Sequence, residues 1–192
     1  LPAPKTLVAH KHAIDGLPEK LGFPMVLKVP DGSFSRGVIK VKDHDELKRG
    51  VRQLFRDTEL VLAQAFVPTQ FDWRVGLVAS EALYVCQYGM APGHWQIVNH
   101  AARHKRASTG EHVTLAVEDA PVDVISLAQR AAQMMGDGLY GVDIKQTTQG
   151  LKVIEVNDNP SIDAGVEDTV LGSALYRHIM AEFVRRLERR GR

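Results

Sequence analysis

Residues 141–160, GVDIKQTTQGLKVIEVNDNP, decide the fold of this chain. Val142, Ile144, Ile154 and Val156 recur at period two, the pattern of two half-buried strands around a polar turn. These four are expected to face a core, which sends Asp143, Glu155 and Asn157 to the opposite face. A turn centred on Thr148 and Gln149 is expected to set Asp143 across from Glu155, with Asn157 two residues further along that face. Two carboxylates and an amide oxygen are hard donors of the kind Mg²⁺ prefers, an ion that commonly shares its shell with nucleotide phosphates. A plain hairpin with one solvated face has the same alternation, so the neighbouring segments must decide.

Composition removes several classes of function. With 192 residues the chain has room for one domain or two lobes and an ample core. Lys+Arg total 24 against Asp+Glu 23, a formal net charge of +1, so no global charge favours nucleic acid or an anionic membrane. A single cysteine, Cys86 in ALYVCQY, rules out an internal disulfide and fits a reducing, cytoplasmic setting; burial is expected to leave it inert. No signal peptide and no apolar run of membrane-spanning length are visible. Nothing in the sequence excludes an oligomer. The opening LPAPKT reads as if cut from something longer.

Outward from the hairpin, strands are expected at 6–10, 24–29 and 37–42, with a short helix between 12 and 21. Asp43 and Glu46 have capping-box spacing ahead of the stripe Leu47, Val51, Leu54, Phe55. This makes a first lobe of residues 1–62. A second, 63–192, is expected to open with the strand 59–67. Strands FDWRVGLVA and ALYVCQYGM follow, with a Ser-Glu turn between them. Residues 91–119 read as a long functional or mobile loop. Pro121 then opens a helix whose Val124, Leu127, Ala128, Ala131 and Met135 face inward. A last helix over 169–189 carries Leu171, Leu175, Ile179, Phe183 and Leu187 on one face, capped by Asp168, with Arg185, Arg186, Arg189 and Arg190 solvated.

Two further groupings carry chemistry. Lys28 sits in the apolar strand PMVLKVP, where a lysine must reach water or meet an anion. Next to it DGSFSRGV, with Gly32, Ser33, Ser35 and Gly37, supplies the N–H and hydroxyl donors of a phosphate-cradling loop, although it lacks the Gly-Lys-Ser/Thr ending of a P-loop. Asp72 and Arg74 share one strand face in FDWRV: as a structural ion pair, or as a ribose acceptor and a cation for a transferring phosphoryl group. His100 and His104 have helical spacing but no third ligand nearby, so loop polarity is the better reading than zinc.

Taken in order, PMVLKVPDGSFSRGV, LAQAFV, DWRVGLV, GVDIK and IEVNDNP resemble the C-terminal part of the ATP-grasp superfamily, in particular the RimK-type glutamate ligases. The resemblance implies an α+β fold in which two lobes with largely antiparallel sheets grip the nucleotide. It implies that Lys28 and the 31–37 loop contact ATP phosphates, that Ala65 and Phe66 hold the adenine, and that Asp72 holds the ribose. It also implies that Arg74 offsets charge in the reaction, that Asn99 keeps one phosphate contact, and that Asp143, Glu155 and Asn157 bind one or two Mg²⁺ ions, with Mn²⁺ an alternative. The implied chemistry is ADP-forming carboxylate–amine ligation, with glutamate joined to a protein or peptide, or a small amino acid ligated on the same fold. A nucleotide-binding module without turnover is a third reading. Ala65 replaces a common family glutamate, and Gln96 stands where an arginine is expected. A further phosphate-binding lysine of the family lies upstream of the segment equivalent to LPAPKT. The loop GHWQIVNHAARHKR is where a change of substrate is expected to show.

Overall fold

The computed structural model describes residues 1–32, 36–102, 104 and 108–191. They form two compact units: a first lobe, Pro4–Pro68, and a second lobe, Thr69–Arg192 together with Leu1–Ala3.

In the first lobe the order is β1 (Thr6–His10), α1 (Leu17–Leu21), β2 (Met25–Lys28), β3 (Val38–Val41), α2 (His44–Leu54) and β4 (Leu60–Ala65). The sheet order is β1-β4-β2-β3, antiparallel throughout. One face buries Met25, Leu27, Val41, Val61 and Ala63 against Leu17, Leu47, Val51 and Leu54. α2 starts as its spacing predicts: the Glu46 amide donates to Asp43 Oδ1 at 2.8 Å, and Glu46 Oε2 reaches back to the Lys42 amide at 2.8 Å. β4 pairs with β1 and β2. It therefore belongs to this lobe and does not open the second one, which moves the boundary from residue 62 to Pro68.

The second lobe holds β5 (Phe71–Val78), β6 (Glu81–Gly89), β7 (His112–Leu115), α3 (Val122–Met135), β8 (Leu139–Thr147), β9 (Gly150–Asn157) and α4 (Ser173–Arg190). The sheet runs β7-β6-β5-β8-β9, again antiparallel. Its inner face packs Trp73, Val75, Leu77, Val85, Val142 and Ile144 on α3. The turn between β5 and β6 centres on Ala79 and Ser80, both at positive φ (48° and 69°), one residue earlier than expected. Part of the long loop is regular, since β7 pairs with β6 and a 3₁₀ turn follows at Val117–Asp119. In α3, Ala132 is buried, whereas Met135, the last residue of the helix, is 60% exposed.

Three expectations about the second lobe need correction. The β8–β9 turn falls at Thr148 and Gln149, and Asp143 does pair with Glu155. The pairing needs a β-bulge, however, because Ile144 lies across from Val153, leaving Ile154 as the extra residue. Parity therefore changes along β9, and Leu151, Val153 and Val156 pack on the core where Ile154 was expected. Second, α4 begins at Ser173 with Gly172 as its N-cap, and Asp168 instead accepts from the Gly165 amide (2.6 Å) and the Tyr176 hydroxyl (3.0 Å).

The third concerns Arg186 of α4, since Arg185, Arg189 and Arg190 are exposed as expected. Leu175 and Ile179 are buried while Leu187 is exposed. Arg186, Arg185 and Arg189 converge on the buried Glu182 at 2.9, 2.8 and 3.4 Å. The Arg186 hydrogen bond leads the causes that hold the Glu182 carboxyl below the usual carboxylate range; burial opposes it, and the charges of Arg185, Arg186 and Arg189 add to it. A carboxyl depressed in the folded state stabilises the fold above its ordinary value and loses that contribution as pH falls through the depressed one. Glu182→Gln is therefore expected to lower the melting temperature at neutral pH and to flatten its fall on acidification. Identical acid limbs for wild type and variant would refute the linkage.

Candidate functional site

The hairpin β8–β9 and its neighbour β5 assemble a polar face on the side of the sheet away from α3. Register does the positioning: Arg74 lies across from Asp143, and Asp72 across from Lys145. Arg74 Nε and Nη2 donate to Asp143 Oδ1 and Oδ2, each at 2.7 Å, a bidentate pair. Lys145 Nζ reaches Asp72 Oδ1 at 2.6 Å and Thr69 Oγ1 at 2.7 Å. Asp72 and Arg74 thus do not pair with each other; each finds its partner on β8.

These charges are well shielded. Side-chain exposure is 20% for Arg74 and 14% for Asp143. Burial works against the Arg74 charge, but Asp143 outweighs it and raises the guanidinium above its ordinary value. Burial pushes the Asp72 carboxyl up, against the pull of Lys145 and Thr69. On this face, across from Asp72, Tyr88 sets its ring 5.6 Å from the Arg74 guanidinium carbon. The Tyr88 hydroxyl donates to Glu167, and both burial and that bond raise it.

The donor set fits a hard divalent cation. Asp143 and Glu155 are cross-strand partners, and Asn157 follows two residues on from Glu155. The Asn157 amide nitrogen donates to the Gly141 carbonyl at 3.2 Å, so its oxygen is the atom left for a ligand. A carboxylate gripped edge-on by Arg74 keeps a lone pair on Oδ1, while Oδ2 also accepts from the Asn157 amide nitrogen at 3.5 Å. Among the described residues no group of three His, Cys, Asp or Glu side chains is gathered.

The first lobe carries the remaining candidates. Lys28 ends β2, half-buried, on the face opposite Leu27. The loop after it closes on Val29: the Val29 amide donates to Gly37 O at 3.0 Å, and a Cβ on Gly32 or Gly37 would come within 2.7 or 2.5 Å of Val29 Cγ2. Gly37 also has φ 69°, a conformation that other residues rarely adopt. Both glycines are therefore needed for the loop base. Ser33 lies outside the described residues. The Ala65 and Phe66 amides donate to Lys5 O (2.9 Å) and Pro24 O (3.3 Å), so both N–H groups are engaged within the lobe. Lys40, on the same sheet face as Lys28, sits 4.4 Å from the centre of the Phe66 ring.

Asn99 lies in the second lobe's loop. Its Oδ1 accepts from the Ala101 amide at 3.0 Å and its own amide donates to Ser108 O at 2.7 Å. Cys86 is buried with Sγ 3.2 Å from Thr114 Oγ1, and burial raises its thiol, consistent with inertness. Sequence reading missed Lys145, Tyr88 and the burial of Glu167. Lys145 was findable as the last letter of GVDIK, one rung from Asp143 on the same face. Tyr88 and Glu167 are 79 residues apart and share no local signal.

A family model, the RimK-like ATP-grasp domain, matches residues 1–175. This chain belongs to that family. A probable alpha-L-glutamate ligase of Picosynechococcus sp. is 30% identical over 171 residues, covering 86% of this chain and 53% of that protein. A D-alanine–D-alanine ligase of Pediococcus pentosaceus is 30% identical over 159 residues, covering 79% of this chain and 43% of the relative. The chain thus spans about half the length of the curated relatives it matches. Among solved structures, D-alanine–D-alanine ligase from Bacillus anthracis superposes with a TM-score of 0.76 at 20% identity, over 98% of this chain and 64% of the other. The fold is ATP-grasp, α+β, as the motif order implied. The family uses ATP. No helix among the described residues is long and apolar enough to cross a membrane.

Proposed function

We propose that this chain is the catalytic region of an ATP- and Mg²⁺-dependent carboxylate–amine ligase that joins glutamate to a protein or peptide. The observation that carries the reading is the bidentate Arg74–Asp143 pair beside Glu155 and Asn157, in a chain of the RimK-like ATP-grasp family. In the reaction a carboxylate takes the γ-phosphoryl group of ATP, ADP leaves, and an amine displaces phosphate from the acyl carbon to form the amide. Lys28 neutralises phosphate charge, and the loop bearing Gly32, Ser33 and Gly37 excludes the water that would hydrolyse the acyl phosphate. Ala65 and Phe66 lie against the adenine, and the second oxygen of Asp72 accepts from the ribose. Asn99 adds one amide contact to phosphate. Arg74 holds positive charge where negative charge develops. Asp143, Glu155 and Asn157 hold Mg²⁺, which supplies charge neutralisation when bound. Dependence on ATP suits a cytoplasmic enzyme.

The D-alanine–D-alanine ligase relative, at the same identity as the glutamate ligase, supports a second reading in which both substrates are small amino acids. Calorimetric titration of Mg·ATP tests the shared part of both. Wild type is expected to bind in a magnesium-dependent way, and the double variant Glu155→Ala, Asn157→Ala is expected to lose that dependence while staying folded. Equal magnesium dependence in both proteins would remove the hairpin from the metal site. ADP release with glutamate and a peptide acceptor, against release with free amino acids alone, then separates the two substrate classes.

A further inference from the structure

Glu167 is 1% exposed, in the segment between β9 and α4. A carboxylate is expensive to bury unless donors meet it. Among the described residues no lysine, arginine or histidine lies within ion-pair distance of Glu167. Its two oxygens are met instead by dipoles: the Tyr88 hydroxyl donates to Oε1 and the Asp163 amide to Oε2 at 2.7 Å. The preceding residue is fixed as well, since Thr114 Oγ1 on β7 donates to the Val166 carbonyl at 2.8 Å. The segment that carries Glu167 is therefore tied to the sheet from two strands, to β6 through the carboxylate and to β7 through the Val166 carbonyl.

What Glu167 grips there is the ring that backs Arg74. The guanidinium is held along one edge by Asp143 and faced by the Tyr88 ring. Tyr88 stands on β6, beside β5, and the bond to Glu167 fixes where its phenol points. We infer that Glu167 is a positioning residue for Arg74, setting the plane of the guanidinium through the Tyr88 ring. Because the same carboxylate holds the Asp163 amide, the segment before α4 is registered to the guanidinium. The catalytic consequence rests on the role proposed for Arg74; the positioning itself does not.

The test uses Tyr88→Phe, which keeps the ring and loses its bond to Glu167, together with Glu167→Gln and the double variant. The first readout is the Arg74 Nε–Hε resonance and its hydrogen exchange in the folded chain, which needs no nucleotide. Each single variant is expected to shift that resonance and to speed its exchange about 10-fold, through more frequent local opening. The double variant is expected to do no worse than the more affected single, since both cut one linkage. The second readout is turnover: kcat is expected to fall about 10-fold with the KM for ATP unchanged, as for a misplaced transition-state contact. An unchanged Arg74 signal in both singles, with only a lower melting temperature, would reduce Glu167 to a staple for its own segment. Additive effects in the double variant would overturn the linkage too. The expected resonance changes without turnover in any protein, wild type included, would keep the positioning and remove the ligase reading.

Discussion

Arg74→Ala is expected to lower the stability of the second lobe by about 3 kcal/mol, the scale for a buried pair stripped of one partner. The cause is Asp143, which loses both of its 2.7 Å donors while remaining largely shielded from water. Arg74→Lys is milder for the fold but not for the chemistry. A lysine restores one charge and cannot reproduce the two-pronged contact. On the proposed reaction it is expected to lower kcat by about 10²-fold or more, the scale for removing a preorganised charge donor. Thermal and urea melts check the first expectation and steady-state ADP release the second. A native melting curve for Arg74→Ala would mean that the pair is not formed in solution.

The second large effect lies at Gly76, opposite Tyr84 on β6. A Cβ built on Gly76 would stand 2.1 Å from both Cε1 and Cζ of the Tyr84 ring. That ring is 1% exposed and packed with Leu175 and Ile179, so it has nowhere to retreat. Gly76→Ala is expected to cost about 3 kcal/mol, the upper range for an overpacked core. Adding Tyr84→Leu is expected to recover part of the loss, a non-additivity that reports the contact directly. Tyr84→Phe serves as the control: the Tyr84 hydroxyl is buried without a hydrogen-bond partner, so removing it is expected to leave stability unchanged or higher. Additive losses for Gly76→Ala and Tyr84→Leu would show that the ring does not rest on the glycine.

Local signals were legible wherever both partners sit close in sequence. Asp43 and Glu46 cap α2 because Glu46 comes three positions after Asp43, and the Asp143–Glu155 pairing follows from a hairpin whose turn the sequence marks. Legibility failed where partners are remote or the backbone breaks its own period. No composition announces a bulge, so Ile154 read as core although Val153 holds that place. The alternation of β4 identifies a strand but not its sheet, and pairing with β1 and β2 assigns it to the first lobe. Asp72 and Arg74 looked like each other's partners because they are two residues apart, whereas their counter-charges lie 73 and 69 residues away on β8. A buried carboxylate such as Glu167 has no local pattern at all, since its burial is decided by what folds over it.

One contact of the second lobe bears on how the protein behaves in company. β9 is the last strand of its sheet, and an open strand edge is a template on which another chain can pair. The Val153 amide on that edge donates to the Pro2 carbonyl at 2.9 Å, so the segment Leu1–Ala3 lies along β9. Prolines at 2 and 4 have no N–H with which to continue the ladder outward. At Val153 the edge is thus occupied by a segment whose prolines offer no new ladder, which works against another strand pairing at that point.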